Sequence, residues 1–505
     1  MTADELTMDG GAGLFGAFRG RVVRGLAWKG GSSILRQLLR ICVTVVLARL
    51  LSPHDYGVAG MVIVFASLVD IFGDLAIGAA LVQRPELSED DRSTAFWVSV
   101  GAGAVFTLAG LALAAPLAAF YGTPAVRPLF MVLSLSFVIT AVGSTQSALL
   151  VRAMDFRGLE LRLTGGAIAG AAVALTLAWR GAGPWALIGQ QVTAAAFATI
   201  LVWRVSDWRP RLRFSRASLR ELGGFSGRVF GTRLLFYANR NVDNVLVGRF
   251  VGAAALGAYS IAYNIMLLPS NQIAAPVQEV LYPAFSRLHH DARRVAAAWL
   301  AVNRIVGAIT LPALAAMAVV APDFVDVVLG AKWHSAARVI QVLAWVGMLQ
   351  SLQSLNSSVL QARNRTQDLL RYAVVVTTAS FTAFVIGLHW GLIGVAVAYA
   401  VSSTLVEPYY TWLTARALDV SVLEFPRALA GVVQATAGMA AAVFAARLAL
   451  AGTVPSPALR LLVLIAVGCL AYAPLAFWRV PELRAVAGRL RLSRRVPAAA
   501  EAILP

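Results

Sequence analysis

Val45-Val46-Leu47-Ala48-Arg49-Leu50-Leu51-Ser52, closing on Gly57, returns two hundred positions later as Val245-Leu246-Val247-Gly248-Arg249-Phe250-Val251-Gly252, closing on Gly257. The register extends upstream: Gly31 matches Gly231, Leu35 matches Leu235 and Arg40 matches Arg240. Twice, an apolar helix ends in arginine, turns within a few residues and restarts at glycine. A hydrophobic segment duplicated once per half is the pattern of a membrane protein built from two equivalent lobes.

Composition agrees. Hydrophobic residues make up 59% of the chain and charged residues 13%, against roughly 25% charged in a soluble protein; mean hydropathy is +0.74. The net charge of +18 is scattered between apolar runs rather than gathered on one face, which argues against nucleic-acid binding. A bilayer core about 30 Å thick needs roughly 20 apolar residues per helix. On that scale the chain divides into about fourteen candidate spans, from 30–51 to 459–478, and an all-α integral membrane fold is expected. Cys42 and Cys469 fall in separate apolar spans and read as small buried hydrophobes.

Arginine placement orients the spans. One set of connections holds Arg84 and Arg92, Arg152, Arg157 and Arg162, the run from Arg204 to Arg220, Arg287, Arg293 and Arg294, Arg363, Arg365 and Arg371, and the tail from Arg479 to Arg495. The opposite set holds only Arg49, Arg127, Arg180, Arg249, Lys332, Arg447 and Arg460. Both termini are therefore expected in the cytoplasm. The segment 1–29 lacks the apolar core and cleavage site of a signal peptide, so the first span is expected to persist in the mature protein. Residues 30–203 form an expected first lobe of six helices, 204–222 a basic cytoplasmic linker and 223–414 a second six-helix lobe. Two extra helices follow at 428–478, then a basic cytoplasmic tail at 479–505. Because six is even, both lobes run the same way and the relating pseudo-twofold lies along the membrane normal.

Several stretches are also familiar as a set. Leu47-Ala-Arg-Leu-Leu-Ser-Pro-His-Asp-Tyr-Gly57, Asp74-Leu-Ala-Ile-Gly-Ala-Ala-Leu-Val-Gln-Arg84, Asn241-Val-Asp-Asn-Val-Leu-Val-Gly-Arg249, Leu281-Tyr-Pro-Ala-Phe-Ser-Arg287 and Val328-Leu-Gly-Ala-Lys-Trp333 resemble the Wzx-type lipopolysaccharide and colanic-acid exporters. These belong to the multidrug/oligosaccharidyl-lipid/polysaccharide superfamily. The resemblance covers about residues 25–480. It implies two lobes facing a central cavity in the bacterial inner membrane, and alternating-access transfer of an undecaprenyl-pyrophosphate-linked oligosaccharide for surface polysaccharide synthesis. Membrane lipids are expected partners, as are a polymerase and co-polymerase of the same pathway. Two rivals share the fold, a lipid II flippase and a drug/cation antiporter. A membrane glycosyltransferase such as an O-antigen polymerase or ligase is the rival from another class, disfavoured by the short external connections and by the repeat.

Ionisable residues within spans are costly and are the first functional candidates. Arg36 and Arg40 share one helix face at i, i+4, as do Asp70 and Asp74 on the next span. In one reading, Arg36–Asp74 and Arg40–Asp70 form a structural ladder. In the other, the arginines face the cavity and hold the pyrophosphate, since guanidinium presents paired donors to phosphate oxygens. The second half has Ser270 and Ala274 where the first has Asp70 and Asp74. Arg233 and Arg240 are therefore the leading headgroup candidates, with Arg304 beside Asn303 near the cytoplasmic mouth. Asp70, Asp74 and Asp243 are the candidates for proton or ion coupling or for gating pairs, and Glu407 is an interfacial carboxylate or a coupling site. A polar layer that includes Gln146, Gln350, Gln353 and Asn356 either lines a sugar path or joins helices. Pro269 and Pro276 are expected to bend or break their helix. Trp97, Trp185, Trp333, Trp390 and Trp478 fit an aromatic belt. The sequence contains no phosphate loop, no Cys/His metal spacing and no nucleophile elbow, so neither an enzyme nor a cofactor is expected.

Overall fold

The computed structural model describes residues 31–73, 81–82, 86–219, 241–287, 290–450 and 452–479. No strand occurs among them, and they divide into two compact units, Met1–Gly257 and Ala258–Pro505. Nine helical stretches among the described residues are long and apolar enough to cross a membrane. Their outward faces are apolar: in Pro457–Arg479 the most hydrophobic window has a mean hydropathy of 2.2 yet only 22% of it is buried. Such a helix has its apolar surface completed by lipid. The chain is an all-helical, multi-pass integral membrane protein.

The first unit contains α1 (31–50), α2 (Pro53–Gly73), α3 (Glu89–Tyr121), α4 (Val126–Arg152), α5 (Phe156–Trp179), α6 (Trp185–Val205) and α7, a helix at 241–246 that ends in a π-turn at Val247–Val251. Here the repeat acquires a geometric meaning. Between α1 and α2, Ser52 accepts from the Asp55 amide (3.1 Å) and the Asp55 carboxylate accepts from the Ser52 amide (2.9 Å). This capping box is followed by proline at the first helical position. At the matching place after α7, Gly252 adopts φ 105° and its amide donates to the Val247 carbonyl at 3.0 Å. Side-chain capping does the work in one copy and glycine's left-handed backbone in the other.

The two turns then meet. A Cβ on Gly57 would fall 1.6 Å from the Ala253 carbonyl oxygen, and one on Gly257 would fall 2.0 Å from that of Pro53. Position 57 meets 253 and 257 meets 53, so the contact is reciprocal in the register of the repeat, as in a two-fold interface. Only glycine allows backbones this close.

The described part of the basic linker is strapped to the start of α3. The Trp97 indole donates to the Arg211 carbonyl (2.9 Å), the Ser215 amide to Thr94 Oγ1 (2.9 Å), and Arg213 lies 3.6 Å from Asp90.

In the second unit, α8 (Ala253–Pro269, which begins in the first unit) passes through a π-turn at Ser270–Ala274 into α9 (Ala275–Arg287). Pro269 and Pro276 flank that turn and lack the amide that would continue the α-ladder, so the expected disturbance appears as a π-turn. Next come α10 (Ala292–Phe324), α11 (His334–Gln353), α12 (Asn356–Ala362), α13 (Thr366–Gly387), α14 (Gly391–Ala417), α15 (Glu424–Leu450) and α16 (Pro457–Arg479). After α10, a π-turn at Val325–Leu329 and Gly330 at φ 99° reverse the chain, as at Gly252.

Helices α15 and α16 dock on α10 through Met439, Val443, Leu461 and Leu464 against Ala315 and Val320. Asp323 is 1% exposed and binds both Arg447, whose Nε is 2.9 Å from Oδ2, and Arg460 on Oδ1. Both arginines belong to the minority set on the opposite side, and a single buried carboxylate holds the two. Two expectations are corrected. Trp333 is fully buried rather than in a belt, because the reversal at Gly330 folds it inward, whereas Trp390 and Trp478 are 71% and 64% exposed. Cys42 and Cys469 are exposed on helix surfaces, not buried.

Two outcomes follow. Gly57→Val or Gly257→Val is expected to cost at least the roughly 1–3 kcal/mol of overpacking, read as a lower unfolding temperature in detergent, while Gly31→Val, with nothing within 4 Å of its Cβ, leaves it unchanged. Asp323→Asn is expected to cost about 2–4 kcal/mol. That is below the roughly 3–5 of a fully buried broken pair, because Arg447 and Arg460 keep 28% and 23% side-chain exposure. Proteolysis near 450–457 in the variant reports loosening of α15 and α16.

Candidate functional site

Helix α5 starts at Phe156 because Asp155 caps it, its carboxylate accepting from the Gly158 amide at 3.0 Å. That start places Glu160 inside the first turns of the helix, about 6 Å along its axis, and buries it. Arg36 on α1 donates through Nη1 to the Glu160 carboxylate and to Thr164 Oγ1 (3.2 Å). One turn from Arg36, Arg40 is exposed. Arg162, on the same stretch of α5, donates to Ser147 Oγ on α4. The acid held by Arg36 is thus Glu160, which lies between Arg157 and Arg162 in what the arginine pattern marks as a connection. The expected partner of Arg36, Asp74, lies outside the described residues. So do Arg233, Arg240 and the side chain of Asp70.

In α7, Asp243 is buried at 3% exposure and accepts from the Asn244 amide at 2.7 Å. In the second unit Arg304 is half-buried on α10 beside the fully buried Asn303, whose Nδ2 donates to the Trp299 carbonyl at 2.9 Å. Of the predicted cations, Arg36 and Arg40 share one helix and Arg304 lies in the other unit.

Sequence reading did not assemble the second unit's polar network. The Trp299 indole donates to Asn356 Oδ1 (2.9 Å), Asn356 donates to Gln353 Oε1, and Gln353 Nε2 donates to Thr411 Oγ1 (2.8 Å). Gln350 donates to the Tyr399 hydroxyl at 2.8 Å. Of the two roles open to the polar layer, these residues take the joining one. Gln146 differs: it is 0% exposed and, among the described residues, neither amide atom has a partner. Nothing in the sequence showed that the α-ladder lapses at Ser354 and Leu355, between Gln353 and Asn356.

The profile of a family described as polysaccharide biosynthesis protein matches residues 46–338, more than half of the chain and both copies of the opening repeat. The chain belongs to the polysaccharide biosynthesis protein family. It is 29% identical to the lipopolysaccharide biosynthesis protein WzxC of Escherichia coli K12, over 76% of this chain and 78% of the relative. It is 25% identical to the teichuronic acid biosynthesis protein TuaB of Bacillus subtilis 168, over 92% and 97% of the two chains. It is 26% identical to the succinoglycan biosynthesis transport protein ExoT of Rhizobium meliloti 1021, over 64% and 65%. Among solved structures, the inward closed conformation of the lipid II flippase MurJ superposes with a TM-score of 0.74. It covers 90% of this chain and 99% of its own at 14% identity, a likeness of fold.

A double-mutant cycle tests the Arg36–Glu160 link. Arg36→Ala and Glu160→Ala are each expected to lower thermal stability in detergent, with the double variant no worse than the singles and a coupling of about 0.5–3 kcal/mol. Additive losses would place the two side chains apart.

Proposed function

We propose that the protein is a flippase that moves an undecaprenyl-pyrophosphate-linked oligosaccharide repeat unit across the bacterial inner membrane by alternating access, supplying surface polysaccharide synthesis. The observation that carries the reading is the family match across residues 46–338. The relatives' names support it, since they speak of lipopolysaccharide, teichuronic acid and succinoglycan, and one of transport. A fold shared with a flippase supports it further.

In this reading the fourteen-span arrangement has six-helix lobes at 30–203 and 223–414, a linker at 204–222, extra helices at 428–478 and cytoplasmic termini. Arg36, Arg40, Arg233, Arg240 and Arg304 face the anionic headgroup. Asp70, Asp74 and Asp243 supply gating pairs or coupling. Arg36 is already neutralised by Glu160, so a pyrophosphate gains its guanidinium only by displacing that carboxylate. Binding and rearrangement are then one event, which is how a ligand shifts a two-state equilibrium. The polyprenyl tail stays in lipid, and no covalent step is involved. Polymerase and co-polymerase receive the product on the far side.

The test is translocation of a labelled undecaprenyl-pyrophosphate oligosaccharide in liposomes holding the purified protein. Accelerated transfer is expected, with Arg233→Ala/Arg240→Ala slowing it by at least about tenfold, or 1.4 kcal/mol. Absence of transfer overturns the substrate, and transfer of lipid II or of a cationic drug instead selects a rival of the same fold. An unaffected double variant removes the headgroup assignment alone.

A further inference from the structure

Glu407 differs from two other buried acids of the transmembrane helices, Glu160 and Asp323. Glu160 is held by Arg36 and Asp323 by two arginines. Glu407 is 5% exposed and about 15 Å from the end of α14, yet among the described residues it makes no ion pair. Its carboxylate accepts from one hydroxyl, that of Tyr372 on α13, at 3.2 and 3.3 Å. The Tyr372 ring stacks on Tyr410 with centroids 3.7 Å apart.

A second observation falls at the same place. Between Gln353 and Asn356 the α-ladder lapses at Ser354 and Leu355, whose backbones stay right-handed helical, and Gln353 at this distortion reaches α14, donating to the Glu407 carbonyl (3.4 Å) and to Thr411 (2.8 Å).

Among the described residues, no charged group on the elements packed around Glu407 faces its carboxylate. From α13, Tyr372 faces the carboxylate, while Asp368 pairs with Arg371 and Arg365. From α14, Tyr410 faces it, and the Arg416 guanidinium lies 5.4 Å over the Trp412 ring. Helix α12 carries no charged residue, and Arg363 just after it donates to the Ala417 carbonyl at 3.1 Å. In α11 the titratable residues His334 and Arg338 sit at the opposite end, about 22 Å from Gln353. A metal cation needs roughly six oxygens around it, and Glu407 faces a single hydroxyl.

We propose that Glu407 is a proton-binding site whose occupancy sets the packing of α13 on α14. An ionised carboxylate without counter-charge is costly in a dry interior. The proton therefore accompanies the closed packing seen here, and water reaching the carboxylate accompanies its loss. Each proton taken up by one state and not the other changes their ratio by about tenfold per pH unit. The site rests on the geometry alone; its use as the coupling step rests on the transport reading.

Two measurements separate these. Infrared difference spectra of the lipid-reconstituted wild type, between acid and alkaline pH, are expected to contain a protonated-carboxyl band that is absent from Glu407→Gln and displaced in Tyr372→Phe. A spectrum unchanged by Glu407→Gln overturns the site, whatever the liposomes show. With the labelled undecaprenyl-pyrophosphate oligosaccharide, wild-type transfer is expected to respond to a pH gradient and Glu407→Gln transfer to ignore it. A variant that keeps the wild-type pH response overturns the coupling role. If the band is present and no lipid-linked sugar moves, the proton site stands and the transport reading fails.

Discussion

Inside hydrocarbon no water completes an unpaired backbone group or neutralises a charge, so each turn and each ionised side chain must find its partner within the protein. Most features of this structure are answers to that constraint. Ser52 and Asp55 satisfy the start of α2 with side chains. Gly252 and Gly330 do so by closing π-turns with positive φ. Asp323 draws Arg447 and Arg460 onto itself and thereby ties the last two described helices to α10, while Arg36 joins α1 to α5 through Glu160. Glu407 gives the constraint a functional edge, for among the described residues it is answered by a hydroxyl instead of a cation.

The duplication shows the same economy. Copies two hundred residues apart cross at Gly57 and Gly257, each glycine lying on the backbone of the other's turn. Side chains at either position would separate the helices, so the register is fixed by the absence of atoms. Around that contact the copies diverge chemically. One has proline after a capping box and the other a π-turn, and Asp70 and Asp74 in the first correspond to Ser270 and Ala274 in the second. Duplication supplies the frame, and differences in charge distinguish its halves.

Legibility followed the range of the interactions. Helices were readable because hydrophobic length is a local property, and the prolines around Ser270–Ala274 announced a disturbance for an equally local reason. Partners were not readable. Arg36 meets Glu160 across 124 positions, and Asp323 meets Arg460 across 137. Glu160 and Asp323 each lie a few residues outside an apolar run, so hydropathy gives them no place in a span, although the α-ladder includes both. Trp333 was misread because an aromatic residue near a span end looks the same whether the following turn directs it outward or folds it inward.

The sequence by itself determined that this is an all-helical membrane protein with a duplicated motif, and that its motifs belong to a polysaccharide biosynthesis family. Those properties reside in hydropathy, glycine placement and short-range spacing. Only the tertiary structure decided which charges are neutralised and which polar residues join helices, and it gives Glu407 a hydroxyl where Glu160 and Asp323 have cations. Burial and charge pairing depend on which faces the packed helices present to each other, and helical periodicity says only that a face exists, not what it meets.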